Sequence, residues 1–548
     1  MVSLTLRKKL FQRLYGKKLS DEKLADLLPL VKCSFDGATE DELKVEVTGD
    51  RPDLLSSEGV VRALKGFTEI EKGLPELKLT PSKLEFTVDK SVASVRPYLV
   101  SALVEGVSFD DDDIAELMQL QEKLHLTLGR RRKKVAIGVH DPAQLKPPFV
   151  YKAVRPNSVY FIPLGKDFQM NLEEILRKHE KGIEYAYTLA QASAYPIIMD
   201  SADQVLSFPP IINGVLTQVT ESTEDVLLDI TGTDFNACNT ALNIMCHNFA
   251  DRGSKIKSVA IKYAEGKKTT PETKPAVMHV SAAEANKALG VKLSPKQAAD
   301  CLLKQRIGAM VEGDYVACEI PRYRADFLHP IDLIEEIALG YGYNKFEPKA
   351  PSVFTKGETS ALTRKSNHAA ELLAGAGFVE ASTYVLTNQP KAVKAREPTE
   401  LVRIKNPVST DYDCLRSTLL PNLLEVLSKN THAPYPQKIF EVGEVVKKND
   451  KADVKTSTEI HVCAVSAHAN ASLSEIASLA SEVLNRLETR VELKQLESPR
   501  YIKGRAAHLD SGASHVGEAG EVHPAALSDF GIMVPVAAFE ARIARVEY

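Results

Sequence analysis

The chain has 548 residues, of which 44% are hydrophobic and 26% charged, with a formal net charge of −4 at pH 7. This length exceeds what one hydrophobic core supports and predicts roughly three to five domains of ordinary globular composition, which excludes a disordered or fibrous chain. The slightly acidic balance gives no general attraction for nucleic acid, so we expect no DNA partner, and any RNA contact must be local or supplied by another chain.

The cysteines and the N-terminus indicate the compartment. Seven cysteines occur without a Cys-x-x-Cys spacing, which argues against a disulfide framework and against structural zinc. The stretch MVSLTLRKKLFQRLYGKKL lacks the uninterrupted apolar segment of a secretory signal. No stretch approaches the ~20 apolar residues of a membrane span. We therefore predict a cytoplasmic protein with no membrane partner.

The first predicted domain covers residues 1–85. Apolar spacing predicts a helix over 6–14 and another after the polar residues at 20–22. Residues 43–47 alternate as a strand does, and RPDLLS at 51–56 predicts the opening of a helix that closes near Gly66. We expect this domain to be scaffold.

The second predicted domain covers residues 90–265. Four acids at 110–113 precede a helical pattern, where capping is a better explanation than metal binding. A basic run at 130–134 leads into a strand over 135–139 that ends at His140. A histidine at such a place is more often structural than catalytic. The basic run is the best local candidate for an RNA contact, although such runs are usually solvated surface.

Polar side chains follow two further strands of this domain. A strand at 205–208 runs into a proline-containing loop that ends at Asn213 and Gly214, and a strand at 226–230 runs into Thr233 and Asp234. Polar groups at a strand end can face a ligand. The polar stretch 265–275, which contains prolines, predicts a linker to the next domain.

The third predicted domain, residues 270–347, is a small α/β module with a strand at 277–280 and helices from 282 and 294. A winged-helix fold is its structural analogue, and that analogy assigns no activity. A helix is predicted over 331–339, after His329-Pro330.

An acidic cluster lies on and before this last helix. Asp332, Glu335 and Glu336 share one helix face, and Asp326 lies six residues earlier. Four carboxylates held together repel one another unless a cation neutralises them, and oxygen ligands suit Mg²⁺. The alternative, that the acids complement the helix dipole, remains open.

The fourth predicted domain, residues 350–548, has an α+β pattern that starts with a helix over 364–375. It contains the motifs NPVS, LRSTLLPNLL, KIFEVG and GEVHP. No phosphate-binding GxxxxGK[ST] loop, GxSxG elbow or HExxH helix is present in the sequence.

The R-x-D motif at 324–326, D-L-x-E-E-I-A at 332–338 and G-Y-G-Y at 340–343 together resemble the segment before the synthetase-like core of phenylalanyl-tRNA synthetase beta subunits. GDRPDLLSSEGVVRALKGF at 49–67 is similar to the N-terminal module of the archaeal form, and the motifs of the fourth domain match the catalytic-like core in order. The resemblance covers essentially the whole chain. Its length fits the archaeal type, without the C-terminal anticodon-binding domain or the added N-terminal tRNA-binding module.

GVHDP, LSFPPIING and DITGTD, in this order and spacing, resemble the editing domain of the same subunit. Editing is needed because an apolar phenylalanine site discriminates poorly against tyrosine. A second site that hydrogen-bonds the phenol disfavours the molecule lacking it by about 1–3 kcal/mol. The resemblance implies an editing pocket in which polar residues recognise the phenol, Leu206 packs on the ring and His140 positions the tRNA 3′ end or the water. The expected residues are His140, Leu206, Ser207, Asn213, Thr233 and Asp234.

The resemblance also implies that Asp326, Asp332, Glu335 and Glu336 bind a Mg²⁺ ion at the border with an α subunit. Val215 stands where the bacterial form has an acid, so we expect substrate groups to activate the hydrolytic water.

We therefore predict a multidomain α+β protein with an editing domain, a small winged-helix-like α/β module, and a class II synthetase-like antiparallel sheet domain that lacks the active site. The expected function is that of the beta subunit of phenylalanine–tRNA ligase, in an α2β2 assembly that binds tRNA(Phe), with ATP as substrate at the α subunit. The alternatives are a non-editing structural or tRNA-binding synthetase paralogue and a free-standing magnesium hydrolase.

Overall fold

The computed structural model describes residues 2–546, which divide into two compact units, one ending at Lys349 and the other beginning at Ala350. The domain boundary predicted between 347 and 350 lies at the same place. Within the described residues, no helix has both the length and the apolar character that crossing a membrane requires.

The first unit begins with a three-stranded antiparallel sheet of order β1-β3-β2. The predicted helix over 6–14 starts only at Lys8, because Leu6 pairs with Leu43 in this sheet and is fully buried there. The helix predicted to open at Arg51 instead starts after Ser56, whose hydroxyl accepts the Gly59 N–H at 3.2 Å. The elements are β1 (Val2–Arg7), α1 (Lys8–Tyr15), α2 (Asp21–Leu27), β2 (Cys33–Ala38), β3 (Glu42–Val47) and α3 (Ser57–Phe67).

A ten-stranded sheet forms the centre of this unit, with the order β12-β11-β10-β7-β4-β14-β5-β13-β6 and β15 paired to β14. The elements are β4 (Leu79–Val88), β5 (Tyr98–Glu105), α4 (Asp111–Leu126), β6 (Val135–His140), β7 (Phe149–Val154), β8 (Tyr160–Phe161), β9 (Met170–Asn171), α5 (Leu172–Lys178), α6 (Glu180–Tyr185), β10 (Tyr195–Met199), β11 (Val205–Phe208), β12 (Ile212–Asn213), β13 (Asp225–Gly232), α7 (Phe235–Asp251), β14 (Lys255–Tyr263) and β15 (Gly266–Thr270). Strands β8 and β9 form a separate pair.

Two sequence-based boundaries fall inside this sheet. Residue 85 lies within β4, and the stretch predicted as a linker contributes β15. Thr270 is tied into the sheet because its hydroxyl donates to the carbonyl of Ser101 at 2.7 Å. The predicted linker is therefore reduced to the few residues between β15 and the next strand.

One hydrophobic core joins the N-terminal segment to the large sheet. Leu4 and Phe11 belong to the same buried cluster as Leu228 of β13 and Leu242 of α7. The predicted capping of α4 is confirmed, because the Asp110 carboxylate accepts the Asp113 N–H at 2.8 Å in a capping box.

The last part of the first unit has its own core around Leu302, Val316 and Ile337. Its three-stranded sheet has the order β16-β18-β17. The predicted strand and the two helices that follow it are present in that order. The last helix, predicted over 331–339, runs from Pro330 to Tyr341 and is three residues longer. The elements are β16 (Ala276–Ser281), α8 (Ala282–Leu289), α9 (Pro295–Lys304), β17 (Gly308–Glu312), β18 (Tyr315–Ile320) and α10 (Pro330–Tyr341).

The second unit is built on a seven-stranded sheet of order β19-β23-β24-β28-β27-β26-β25, antiparallel except for the β19–β23 pair. Alternate residues of β24 face two separate cores, one with α11 and α14 and the other with α13 and α15. The elements are α11 (Ala361–Gly375), β19 (Val379–Glu380), β20 (Leu386–Thr387), α12 (Gln389–Lys394), β21 (Val402–Arg403), β22 (Cys414–Leu415), α13 (Leu420–Lys429), β23 (Gln437–Lys448), β24 (Thr456–Ala467), α14 (Leu473–Arg486), β25 (Glu492–Gln495), β26 (Tyr501–Ser511), β27 (Ser514–Val522), α15 (Pro524–Asp529) and β28 (Val536–Arg545).

Candidate functional site

A cavity of 330 Å³ lies among β6, β11, β12, β13 and α4 in the first unit. Phe208 and Ile211 supply apolar wall, whereas Ser207, Asn213 and Asp229 supply polar groups. A volume of this order suits a small ligand, and a mostly apolar lining with a few polar groups is typical of such sites.

Asp229 is the buried carboxylate of this cavity. Its Oδ2 accepts a hydrogen bond from His140 Nε2 at 2.6 Å and one from the Ser207 hydroxyl at 3.2 Å. A carboxylate oxygen accepts, so His140 Nε2 is the donor of the first bond, and His140 Nδ1 lies 2.7 Å from the Thr217 hydroxyl. Both bonds to Asp229 use Oδ2, which leaves Oδ1 for a ligand.

Gly138 allows this arrangement. It pairs with Asp229 across the β6–β13 register. A Cβ atom at residue 138 would lie 2.5 Å from Asp229 Oδ2 and 2.6 Å from His140 Nε2, closer than any packed carbon can approach. The glycine of the GVHDP motif is therefore required by the close approach of the Asp229–His140 pair.

A strained loop closes one side of the cavity. Residues 130–132 hold consecutive positive φ values of 48°, 54° and 64°, a conformation that non-glycine residues keep only where their surroundings fix it. Arg132 is fixed by a hydrogen bond to the carbonyl of Ile211 at 2.9 Å, by Glu122 at 2.6 Å and by the Tyr185 ring at 4.1 Å.

Glu122 stays ionised beside this loop. Burial alone would raise the pKa of Glu122, but the hydrogen bond with His125 and the charge of Arg132 lower it to about 2. Burial lowers the pKa of His125 to about 4, so its imidazole is neutral at pH 7.

The structure brings together three of the six residues predicted for the editing pocket. Ser207 and Asn213 line the cavity, and His140 lies behind it, bonded to Asp229. Leu206 does not line the cavity, because it is fully buried in an apolar cluster with Phe86 and Tyr151. The predicted packing of Leu206 on a ligand ring is not supported by this position.

Thr233 and Asp234 also lie outside the cavity lining. Asp234 is the N-cap of α7, where its Oδ1 accepts the Ala237 N–H at 2.9 Å and its Oδ2 lies 3.1 Å from Lys134 Nζ. The hydrogen bond from the helix backbone holds the pKa of Asp234 below its usual value. The geometry therefore gives this carboxylate a capping position rather than the predicted contact with a phenol.

Asp229 and Thr231 line the cavity and were missed by the sequence analysis. Thr231 is fully buried, and its hydroxyl accepts a hydrogen bond from Arg96 Nε at 2.9 Å. The sequence held a signal: the two polar residues stand two positions apart within an otherwise apolar strand, so they share one face.

The predicted metal cluster is neutralised by protein cations. Arg324 makes a paired contact with Asp326, at 2.8 and 2.6 Å, and reaches Glu336 Oε1 at 2.8 Å. Burial alone would raise the pKa of Asp326, but the charge of Arg324 lowers it to about 2. Lys32 of the N-terminal segment lies 3.3 Å from Glu335.

The other acids of this cluster differ in position. Asp332 Oδ2 accepts the N–H groups of Leu328 and His329 at 2.7 and 2.8 Å and thereby caps α10. Glu335 is 51% exposed. Within residues 2–546, no three of the four carboxylates bring ligand oxygens to within 4.8 Å of one another. They line a recess of 440 Å³, but they do not fit a magnesium site formed by this chain alone.

Two family models match the chain. One, described as the phenylalanyl tRNA synthetase beta chain CLM domain, covers residues 347–543, and the other, the tRNA synthetase B5 domain, covers residues 278–343.

Several relatives match nearly the full length. The phenylalanine–tRNA ligase beta subunit of Archaeoglobus fulgidus is 40% identical over 94% of this chain and 93% of its own. That of Korarchaeum cryptofilum is 40% identical over 96% of this chain and 95% of its own.

A solved structure resembles the first part of the chain. The crystal structure of an N-terminal fragment of the phenylalanyl-tRNA synthetase beta subunit from Pyrococcus horikoshii is 38% identical, with a TM-score of 0.61, and the match covers 62% of this chain and 100% of the fragment. Since the match to the ligase subunits extends over nearly all of both sequences and includes the B5 and CLM models, this chain belongs to the family of phenylalanine–tRNA ligase beta subunits, which are part of an aminoacyl-tRNA synthetase.

Proposed function

We propose that the chain works in the cytoplasm with an α subunit in an α2β2 assembly. The α subunit binds ATP and phenylalanine and attaches phenylalanine to tRNA(Phe). This chain hydrolyses tyrosyl-tRNA(Phe) formed in error, and the cavity beside Asp229 is the editing pocket.

The observation that carries this proposal is the free oxygen of Asp229 in a mostly apolar cavity. A phenol that donates to Asp229 Oδ1 gives this buried oxygen a hydrogen-bond partner, whereas phenylalanine leaves it unpaired. An unpaired buried polar group costs about 1–3 kcal/mol, so the pocket selects tyrosine. The bonds from His140 and Ser207 keep the carboxylate in place.

The hydrolytic water is activated by groups of the substrate. Val215, in the turn after β12, carries no acid or base. Asp229 is committed to the phenol in this proposal, and His140 is fully buried. The cavity therefore selects and orients the ester.

We assign the tRNA contact to the exposed arginines and lysine of the basic loop. Arg130, Arg131 and Lys133 are exposed, whereas Arg132 is buried at the cavity wall. A loop that reaches from the cavity wall to solvent is placed to meet the phosphates next to an esterified 3′ end.

The second unit supports the assignment of ATP to the α subunit. Glu441 is buried and accepts hydrogen bonds from Arg416 at 2.7 Å and from the Thr383 hydroxyl at 2.7 Å. Arg416 also donates to the carbonyl of Glu444 at 2.8 Å. These two residues hold each other and are not free for a nucleotide.

The ligase reaction as a whole uses Mg²⁺ together with ATP. On this chain, Arg324 occupies Asp326 and Glu336, so a Mg²⁺ ion shared with the α subunit takes at most Asp332 and Glu335 from the predicted set. Metal analysis of the α2β2 complex with Glu335→Gln tests this assignment, which fails if the magnesium content is unchanged.

The test of editing is release of tyrosine from tyrosyl-tRNA(Phe) by the complex with the α subunit. Asp229→Asn keeps the size of the side chain and is expected to reduce release by at least about tenfold, the effect of 1.4 kcal/mol. The matched control is Asp234→Asn, which changes the α7 cap and should leave release within a few-fold. Aminoacylation with phenylalanine should persist in both.

The result that overturns the proposal is equal release by wild type and Asp229→Asn. If the wild-type complex releases no tyrosine while charging tRNA(Phe), the chain is the non-editing structural paralogue.

A further inference from the structure

We infer that the hairpin β26–β27 of the second unit carries a binding site for a transition-metal ion of the zinc class, formed by His508, Asp510 and His515. This site is independent of the editing cavity and of the acidic cluster. Its role is to cross-link two neighbouring strands.

The strands place the three side chains on one surface of the sheet. His508 and Asp510 are two positions apart on β26 and so share a face, while Leu509 between them is fully buried in the core. His515 of β27 is the cross-strand partner of Asp510. Strands of a folded sheet hold this arrangement before any ion binds.

The donor atoms converge. One ligand atom from each of the three residues lies within 4.8 Å of the other two. His515 Nδ1 is 3.1 Å from Asp510 Oδ1, and the two imidazole rings have their centroids 4.8 Å apart. Within the described residues, no other group of three His, Cys, Asp or Glu side chains meets this criterion.

A second observation is the orphaned nitrogen of His508. Its Nδ1 is shielded from solvent and has no hydrogen-bond partner. Buried polar atoms are nearly always satisfied, and an exception requires an explanation. A cation coordinated at the cluster supplies one.

Two imidazoles and one carboxylate are a donor set for Zn²⁺ and related ions rather than for Mg²⁺ or Ca²⁺. Tetrahedral ligands at about 2.0–2.2 Å from zinc are about 3.4 Å apart. The 3.1 Å between His515 Nδ1 and Asp510 Oδ1 is already close to this spacing, and the His515 side chain is 50% exposed. Water completes the coordination on the solvent side.

Lys494 would compete with a metal ion for the Asp510 carboxylate. Its Nζ lies 3.1 Å from Asp510 Oδ2, and the lysine side chain is 55% exposed. An exposed ion pair of this kind contributes little and is easily replaced. The oxygen nearer to His515 is Oδ1, so the lysine does not occupy the position between the rings.

The experiment uses the complete chain, without an affinity tag, stripped of metal by a chelator. Titration with Co²⁺, followed by its visible absorption, should show one tightly bound ion that Zn²⁺ displaces. The seven cysteines are buried, so the spectrum should lack thiolate bands. His515→Asn and His508→Gln should each weaken binding by more than the roughly 10–100-fold seen when second-shell partners of a metal are removed.

Two matched variants complete the test. His368→Asn removes another half-exposed histidine of the same unit and should bind Co²⁺ as wild type does, while Lys494→Met should bind at least as tightly. Circular dichroism checks that each variant is folded. The inference is refuted if the wild-type chain takes up no Co²⁺ or Zn²⁺ at micromolar concentration, or if folded His515→Asn and His508→Gln bind as tightly as wild type.

Discussion

Asp229 is a carboxylate within a strand whose other buried residues are mostly apolar, and its neighbours explain how it is kept there. His140 and Ser207 both donate to Oδ2. A buried polar group without partners is strongly destabilising, so these two residues are part of the same site even though only Ser207 lines the cavity. Substitutions at His140 should therefore act through the position of Asp229.

Gly138→Ala tests that geometry without changing a polar group. The new Cβ would meet Asp229 Oδ2 at 2.5 Å, so the Asp229–His140 pair must shift. Misplacement by about 1 Å can cost roughly 100-fold in rate, and we expect a loss of this order in tyrosine release. Gly375→Ala, at a glycine with open space, is the control. Retention of full release by a folded Gly138→Ala protein would contradict the geometry.

The choice between Asp229 and Asp234 shows where sequence reasoning stops. Both stand near the end of the same strand, and the sequence alone favoured the one at the strand-to-helix turn. The side chain that faces the cavity is decided by the pairing of β13 with β6, which opposes Asp229 to Gly138. That pairing joins residues about ninety positions apart in the chain. The local spacing of Asp229 and Thr231 shows that they share a face, but it does not show that this face lines the cavity.

Helix α4 connects the large sheet to the N-terminal segment through Glu116. Its Oε1 accepts the Arg7 N–H at 2.7 Å and the Ser57 hydroxyl at 3.2 Å. Burial raises the pKa of Glu116 to about 7. Between about pH 4.5, the ordinary pKa of a glutamate, and pH 7, Glu116 therefore keeps its proton in the folded state and loses it in the unfolded state.

The stability of the first unit should consequently fall as pH rises from about 4.5 to 7, because the folded state binds more protons in that window. The difference in pKa corresponds to roughly 3 kcal/mol. Glu116→Gln keeps an oxygen acceptor and should flatten this part of the profile. Unfolding midpoints at pH 5 and pH 8 measure it, with the exposed Glu221→Gln as control. An equal pH dependence in wild type and Glu116→Gln would be inconsistent with a buried, neutral Glu116.

Helix α10 is held to the chain before it by Arg324. Arg324→Met leaves Asp326 buried without its ion-pair partner and leaves Glu336 with only Lys32 Nζ, at 3.7 Å. Breaking a buried pair in this way costs about 3–5 kcal/mol, which chemical denaturation of the first unit should detect. Arg322→Met removes a partly buried arginine that donates to the carbonyl of Lys274 and should cost under about 1 kcal/mol. Similar losses in the two variants would mean that the ion pairs contribute little.

Helices and strands could be predicted from the local sequence more readily than the strand pairs and ion pairs that they form with distant parts of the chain. The strand and helices at the start of the third domain follow local alternation and capping, and the structure has them there. Strand β15 has no such signal, since its polar residues become a strand only by pairing with β14. The cation beside Glu335 likewise comes from Lys32, about three hundred residues earlier.

At the scale of the molecule, the two units are joined by an exposed stretch. Residues 347–360 are exposed, and those at 347–359 belong to no helix or strand. Limited digestion with trypsin should therefore cut first after Lys349 or Lys356 and release two resistant fragments. Lys349→Gln with Lys356→Gln should delay this cleavage, whereas Lys345→Gln, in the turn before it, should not. Early cuts elsewhere, identified by mass spectrometry, would contradict the division.

The core shared by the first sheet and the large sheet limits how the protein can be shortened. Leu4, Leu6 and Phe11 fill the same apolar interior as Val100 and Leu228, and the backbone of Thr5 exchanges hydrogen bonds with Gln119. A truncated version that starts at residue 86 would uncover this interior and lose most of β4. A recombinant fragment made to study the cavity must therefore retain strand β1. An N-terminal tag or fusion partner should be added before this strand and should not replace it.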